Sequence, residues 1–265
     1  MALKIQNTNT LDNFKVSILV YGFAGSGKTR LCTTLNKPFI ISCEKGLGSI
    51  KGSGIPYFEV SSEKEVFEAL SRLANAPNGM FETIVLDSIS ELSEIILAEQ
   101  KMGGKNPHGA AAYGYMQDKI KNIIRFVKNM NCNFYATCKM TKEPDEDGVM
   151  LYSPFLPSKN LSSDIPYHFE EVLALRVKKE KDEDGVEYNI PYLQTMSDGK
   201  YQAKDRLGNL GMYEPYNLQN IIDKCLWVHE DKTEVEVKED AVQPEIQDME
   251  QERPADDIPE QSGEV

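Results

Sequence analysis

The chain has 265 residues, enough for one large domain or two small ones, and 40% hydrophobic residues can build a substantial core. It contains no apolar run of membrane-spanning length, and its first residues lack the apolar stretch of a signal peptide, so it is expected to be soluble and cytoplasmic with no membrane partner. The net charge of −13 is uneven: residues 230–265 hold 14 acidic and 3 basic side chains, leaving 28 acidic and 26 basic in residues 1–229.

In chain order, the β-branched apolar run 16–21 (VSILVY) predicts a buried strand. It drops into Gly22-Phe23-Ala24-Gly25-Ser26-Gly27-Lys28-Thr29, which fits G-x-x-x-x-G-K-[ST], and leaves into a helical pattern. That spacing lets backbone N–H groups wrap a phosphate while the glycines keep Cβ atoms away, and the next helix aims its positive end at the same anion. Lys28 is expected on the β- and γ-phosphates and the Thr29 hydroxyl on Mg²⁺. Residues 30–36 should complete a short helix, 38–42 (PFIIS) a buried strand ending at Cys43-Glu44, and 57–60 another strand. Val66, Phe67, Leu70 and Leu73 share a face of a helix over 63–73, which Pro77-Asn78-Gly79 ends. Residues 81–87 (FETIVLD) form a strand closing on a carboxylate, followed by a helix over 90–100. This alternation predicts a parallel sheet covered on both faces.

Residues 101–114 (KMGGKNPHGAAAYG) read as a glycine-rich, basic connection, followed by a helix over 115–130 and a core strand over 133–138. Two acidic turns, 144–148 (PDEDG) and 181–185 (KDEDG), signal hairpins and hence an antiparallel extension of the sheet. Pro215 marks a helix start, and Leu218, Ile221, Ile222 and Cys225 form the last apolar stripe. The tail from residue 230 has the composition of disorder. It reads as a solvated end, a decoy competing with nucleic acid, or a handle for a partner such as a single-strand-binding protein. Five cysteines without a C-x-x-C pair read as reduced thiols rather than disulfides or zinc ligands.

A phosphate loop needs a second acid for its metal, and Asp87 ends the right strand; the alternative is a cap on the next helix. Hydrolysis needs a carboxylate to orient or deprotonate water. The position after Asp87, where many ATPases carry a Glu, is Ser88. Glu44, at the end of the strand after the phosphate-loop helix, is the candidate, with Glu91 in reserve; a loop carboxylate or helix cap is the competing reading. A guanine-reading Asn-Lys-x-Asp is missing and no arginine-rich lid lies between Asp87 and Cys138, which disfavours GTPases and small-molecule kinases. Lys204 and Arg206 alternate along an expected strand end and could meet one anion, that of a neighbour's site, or form an exposed basic pair. Residues 137–139 are a plausible γ-phosphate sensor.

With these landmarks in view, the chain resembles phage nucleotide-binding proteins with a RecA-like core, some of which are single-strand annealing recombinases. The residues that carry the resemblance are GFAGSGKT (22–29), ISCEKGL (41–47), TIVLDSIS (83–90), NFYATCKMTKE (133–143), PYHFEEVLAL (166–175) and AKDRLGNLGMYEPYNLQNII (203–222). It implies an α/β fold, a RecA-like P-loop NTPase whose mostly parallel central sheet has helices on both faces and an antiparallel hairpin extension, over residues 1–229. It also implies ATP and Mg²⁺ as cofactors, single-stranded DNA as a partner, and a homo-oligomeric ring or filament in which Lys204 and Arg206 act on the adjacent subunit's nucleotide. Lys101, Lys105, His108, Tyr113 and Tyr115, with Lys119 and Lys121, supply cations and aromatic platforms where such proteins carry a DNA-facing loop. A nucleotide-gated interaction module with little hydrolysis is the alternative from another class.

Overall fold

The computed structural model describes residues 14–102, 109–144, 147–182 and 184–227. The acidic tail expected from residue 230 lies outside them. Strand β1 (Ser17–Gly22) is buried along its whole length because both of its faces are covered. Leu19 and Tyr21 pack into one core with α2 (Glu63–Ala74), α3 (Ile89–Met102) and α4 (Gly109–Lys128). Ile18 and Val20 point the other way, into a second core with α1 (Lys28–Leu31) and α6 (Leu218–Leu226). The period-two alternation of a strand thus splits one apolar run between two helical layers.

The parallel part of the sheet comprises β3 (Tyr57–Glu59), β2 (Pro38–Ser42), β4 (Thr83–Asp87), β5 (Asn133–Pro144), β1 and β7 (Glu171–Lys181), in that spatial order. Beyond β7 come β8 (Glu187–Gln194) and β10 (Tyr213–Pro215), both antiparallel to their neighbours. Two further strands pair off this path: β6 (Met150–Phe155) with β5, and β9 (Lys204–Asp205) with β7. The two expected hairpins are therefore present, and Gly148 (φ 78°) and Gly185 (φ 81°) supply the left-handed backbone of their turns. Because β5 separates β1 from β4, the phosphate loop and Asp87 leave the same end of the sheet one strand apart.

Three boundaries differ from the sequence reading. The helix after the phosphate loop is only four residues long and tightens into a 3₁₀ turn over Cys32–Thr34. The Thr33 and Thr34 hydroxyls take the carbonyls of Arg30 and Leu31, each at 2.8 Å, and so compete with helix continuation. The connection expected over 101–114 is shorter, because α3 runs to Met102 and α4 begins at Gly109; the strong helix formers Ala110, Ala111 and Ala112 outweigh Gly109 and Gly114. Pro215 closes β10 instead of opening a helix, and α6 is capped by Asn217, whose side chain accepts from Asn220 N at 3.1 Å. The short helix α5 (Lys159–Asp164), capped by Ser158, was not read from the sequence. Among the described residues no helix is long and apolar enough to cross a membrane.

Candidate functional site

The loop over 22–29 is shaped by what cannot fit. A Cβ on Gly22 would meet Ser26 Oγ at 2.7 Å and Leu175 at 3.3 Å. Gly27 has φ 101°, and a Cβ there would lie 2.8 Å from the Tyr216 hydroxyl. Lys28 Nζ donates to Gly22 O (2.8 Å) and Phe23 O (2.9 Å), so the ammonium spans the mouth of its own loop. Burial lowers its pKa, while the Glu44 and Asp87 carboxylates beside it pull the other way. Tyr135, from the neighbouring strand, donates its hydroxyl to Lys28 O at 2.7 Å and fixes the first helical turn.

Asp87 is almost completely buried at the end of β4 and both of its carboxylate oxygens are engaged. Thr29 Oγ1 donates to Oδ2 at 2.8 Å and Thr137 Oγ1 to Oδ1 at 2.5 Å. Its backbone carbonyl accepts from Cys43 N (2.7 Å) and Glu44 N (3.4 Å), which brings Glu44 across from β2 to the same rim. The Glu44 side chain is exposed and accepts a short hydrogen bond from Ser88 Oγ. Ser88 in turn accepts from Glu91 N at 3.2 Å. The Asp87–Ser88 peptide is cis.

Glu91, the reserve carboxylate, is occupied. Lys139 on β5, in register with Gly22, donates to Glu91 Oε2 at 3.1 Å and Glu94 Oε1 at 2.8 Å. Burial alone would lower the Lys139 ammonium's pKa, but its hydrogen bonds to Glu94 and Glu91 leave it raised. A second positive charge therefore stands one strand from the loop.

The loop and its acids fit a magnesium–triphosphate on three counts. Ser26 Oγ is buried inside the loop with no partner among the described residues. Gly22 and Gly27 let the loop close tightly against Ser26, Leu175 and Tyr216, where any Cβ would clash. The Thr29 hydroxyl and Asp87 carboxylate are hard oxygen donors of the kind Mg²⁺ takes alongside phosphates and water. No group of three or more His, Cys, Asp or Glu among the described residues could hold a metal ion.

Lys204 and Arg206 do turn the same way, toward carbonyls of the stretch 166–169. Lys204 Nζ donates to Pro166 O (2.6 Å) and Phe169 O (2.5 Å), and Arg206 Nη2 to Tyr167 O (3.1 Å). Lys204 pairs with Val172, level with Leu19 of β1, about three residues or roughly 10 Å of strand from Gly22. Arg206 lies 3.8 Å from Glu170, a buried carboxylate that also accepts from Ser17 N and Lys128.

The expected DNA-facing residues are largely paired within the chain. Lys101 lies over the Tyr113 ring (5.0 Å), Lys119 bonds Glu63 at 2.9 Å between the Phe67 and Tyr115 rings, and Lys121 bonds Asp164 at 2.6 Å. Lys105 and His108 lie outside the described residues. Sequence reasoning also passed over Tyr216, whose hydroxyl donates a short bond to Gly27 O across 189 positions. No local pattern signals a contact of that range.

Fold and site together define a P-loop ATPase domain, α/β and RecA-like in its mostly parallel sheet. The sequence pattern of the AAA domain family matches residues 15–207, well over half of the chain, and the chain belongs to that family. It is 30% identical over 80 residues to the SPbeta prophage-derived uncharacterized protein YorG of Bacillus subtilis (strain 168). That match takes in 29% of this chain and 24% of the relative, so the chain spans about a quarter of the curated protein's length. Similar solved structures include a KaiC-like protein of Pyrococcus horikoshii OT3 (TM-score 0.40, 13% identity, 68% of this chain and 77% of that one). Others are the RadB recombinase (0.40, 17%, 72% and 90%) and an ATPase of a bacterial type III secretion system (0.44, 9%, 61% and 51%).

Proposed function

We propose that the chain is an ATP-hydrolysing, RecA-like protein that acts on single-stranded DNA in phage-type recombination or annealing, assembled with copies of itself. The observation that carries the hydrolytic half is the convergence of Glu44, Asp87 and Thr29 on Lys28 at the mouth of one glycine loop. Lys28 exchanges the Gly22 and Phe23 carbonyls for phosphate oxygens, and Glu44 leaves Ser88 to orient and deprotonate the attacking water. Magnesium, held by Thr29 and Asp87 when bound, draws negative charge off the phosphates. The sequence landmarks shared with phage RecA-like proteins and the prophage origin of the relative support the DNA half. Lys204 and Arg206, which bond the carbonyls of 166–169 rather than their own loop, are in this reading the pair that completes a neighbour's site.

ATP turnover measured with and without single-stranded DNA tests this reading. Turnover should rise with DNA, and DNA should be retained on a gel; turnover indifferent to DNA with none retained would remove the DNA half. A second reading, a nucleotide-gated interaction module, is favoured by the internal pairing of Lys101, Lys119 and Lys121, which leaves few cations for a phosphate backbone.

A further inference from the structure

The phosphate loop runs into very little helix. α1 has four residues and passes at once into the 3₁₀ turn Cys32–Thr34, too few turns to hold a fixed direction on internal hydrogen bonds. Its first carbonyls are held from outside instead. Gly27 O accepts Leu31 N at 2.9 Å and, as its second bond, the Tyr216 hydroxyl. Lys28 O accepts the Tyr135 hydroxyl at 2.7 Å. Burial pushes the Tyr216 phenol up to about 12, so it keeps the proton it donates.

The residues after Tyr216 meet the far end of the same segment. Leu218 N donates to Thr34 Oγ1 at 2.9 Å, and Asn36 N donates to Gln219 Oε1 at 3.0 Å. Residues 216–219 therefore bracket 27–36 at both ends. They are themselves firmly anchored. On one side Pro215 pairs with Tyr192 of β8, and the buried Glu214 accepts from Lys224 Nζ at 2.6 and 2.8 Å. On the other, Leu218, Ile221 and Ile222 are buried in the second core with Leu31 and Leu35. The stretch that matches the AAA domain family ends at residue 207, before any of these contacts.

We infer that residues 216–219 form a strap that holds the phosphate loop in its binding conformation, with Tyr216 as a positioning residue that acts through Gly27. The inference rests on the nucleotide-binding reading above. A loop that adopts its binding shape only part of the time binds more weakly in proportion to that fraction. Loss of one brace therefore lowers affinity for any ligand held by its phosphates, whether or not it carries a base.

Calorimetric titration of the full chain with Mg-ADP and Mg-pyrophosphate, with unfolding temperatures recorded alongside, tests the strap. Tyr216→Phe removes one hydroxyl and should weaken both ligands by the same factor, roughly 2- to 12-fold, the range one hydrogen bond supplies. Gln219→Ala removes the bond to Asn36 N and should weaken both ligands in the same sense; it carries the test if Tyr216→Phe does not fold. Cys225→Ser puts a hydroxyl into the buried far end of α6, so it should lower the unfolding temperature and leave both affinities at the wild-type value. Unchanged affinities in Tyr216→Phe, whatever its unfolding temperature, overturn the inference. So does an equal loss of affinity in Cys225→Ser, which makes the effect one of general stability, or a loss for Mg-ADP alone, which puts the ring on the base. Wild type binding neither ligand overturns the nucleotide-binding reading and this inference with it.

Discussion

Glu171 offers a quantitative test of how the sheet is built. It lies on β7 between Ile18 of β1 and Asp205 of β9, fully buried, with the Asp205 carboxylate beside it. Burial first, and the Asp205 carboxylate second, push its pKa from 4.5 to about 8. The folded chain therefore keeps a proton that the unfolded chain releases above about pH 4.5. Stability contributed by this group falls as pH rises from there toward 8, then levels off. At about 1.4 kcal/mol per pKa unit, the fall between pH 5 and pH 7 is roughly 3 kcal/mol. Glu171→Gln has no proton to hold, so its stability advantage over wild type should grow by about that amount over the same interval. Urea unfolding of both proteins from pH 5 to pH 8.5 measures the difference. Parallel stability curves across that range would refute the reasoning.

Three further outcomes follow from the same geometry. On the shared-site proposal, mixing Lys28→Ala subunits with Arg206→Ala subunits should restore ATP turnover that neither variant has alone; no recovery at any ratio counts against shared sites. Asp87→Asn should keep the fold but lose at least tenfold of the affinity that Mg²⁺ adds to ATP binding, read as the ratio of Kd in EDTA to Kd in Mg²⁺; an unchanged ratio removes Asp87 from the metal. All five cysteines are buried, and burial pushes the Cys32 thiol up to about 12 and those of Cys132 and Cys138 to about 11. A thiol reagent at pH 8 should therefore label none of them in the native protein and all five after unfolding; rapid native labelling would contradict this packing.

What was legible in the sequence is what short-range patterns encode. The glycine loop, the strand ending at Asp87, Glu44 one strand earlier and both acidic hairpin turns are local signatures, and each stands where its pattern put it. The helix boundaries were less legible because they turn on competing local terms: threonine hydroxyls at 33 and 34, and an alanine run between two glycines at 109 and 114. The rest depends on pairs far apart in the chain. Lys139 meeting Glu91 and Glu94, Ser88 holding Glu44, and Tyr216 reaching Gly27 all require the sheet order to be known first. Lys204 and Arg206 both donate to carbonyls in the stretch 166–169, and only the register of β9 with β7 reveals that Lys204 stands level with Leu19 rather than at the loop.

Whether this loop, with Glu44, forms a hydrolytic site is most directly tested by phosphate release from Mg-ATP in wild type, Lys28→Ala and Glu44→Gln, with ATP binding measured alongside. Lys28→Ala should neither bind nor turn over, whereas Glu44→Gln should bind ATP as wild type does and lose roughly 100-fold or more of turnover. A Glu44→Gln variant that releases phosphate at the wild-type rate would contradict the site described above.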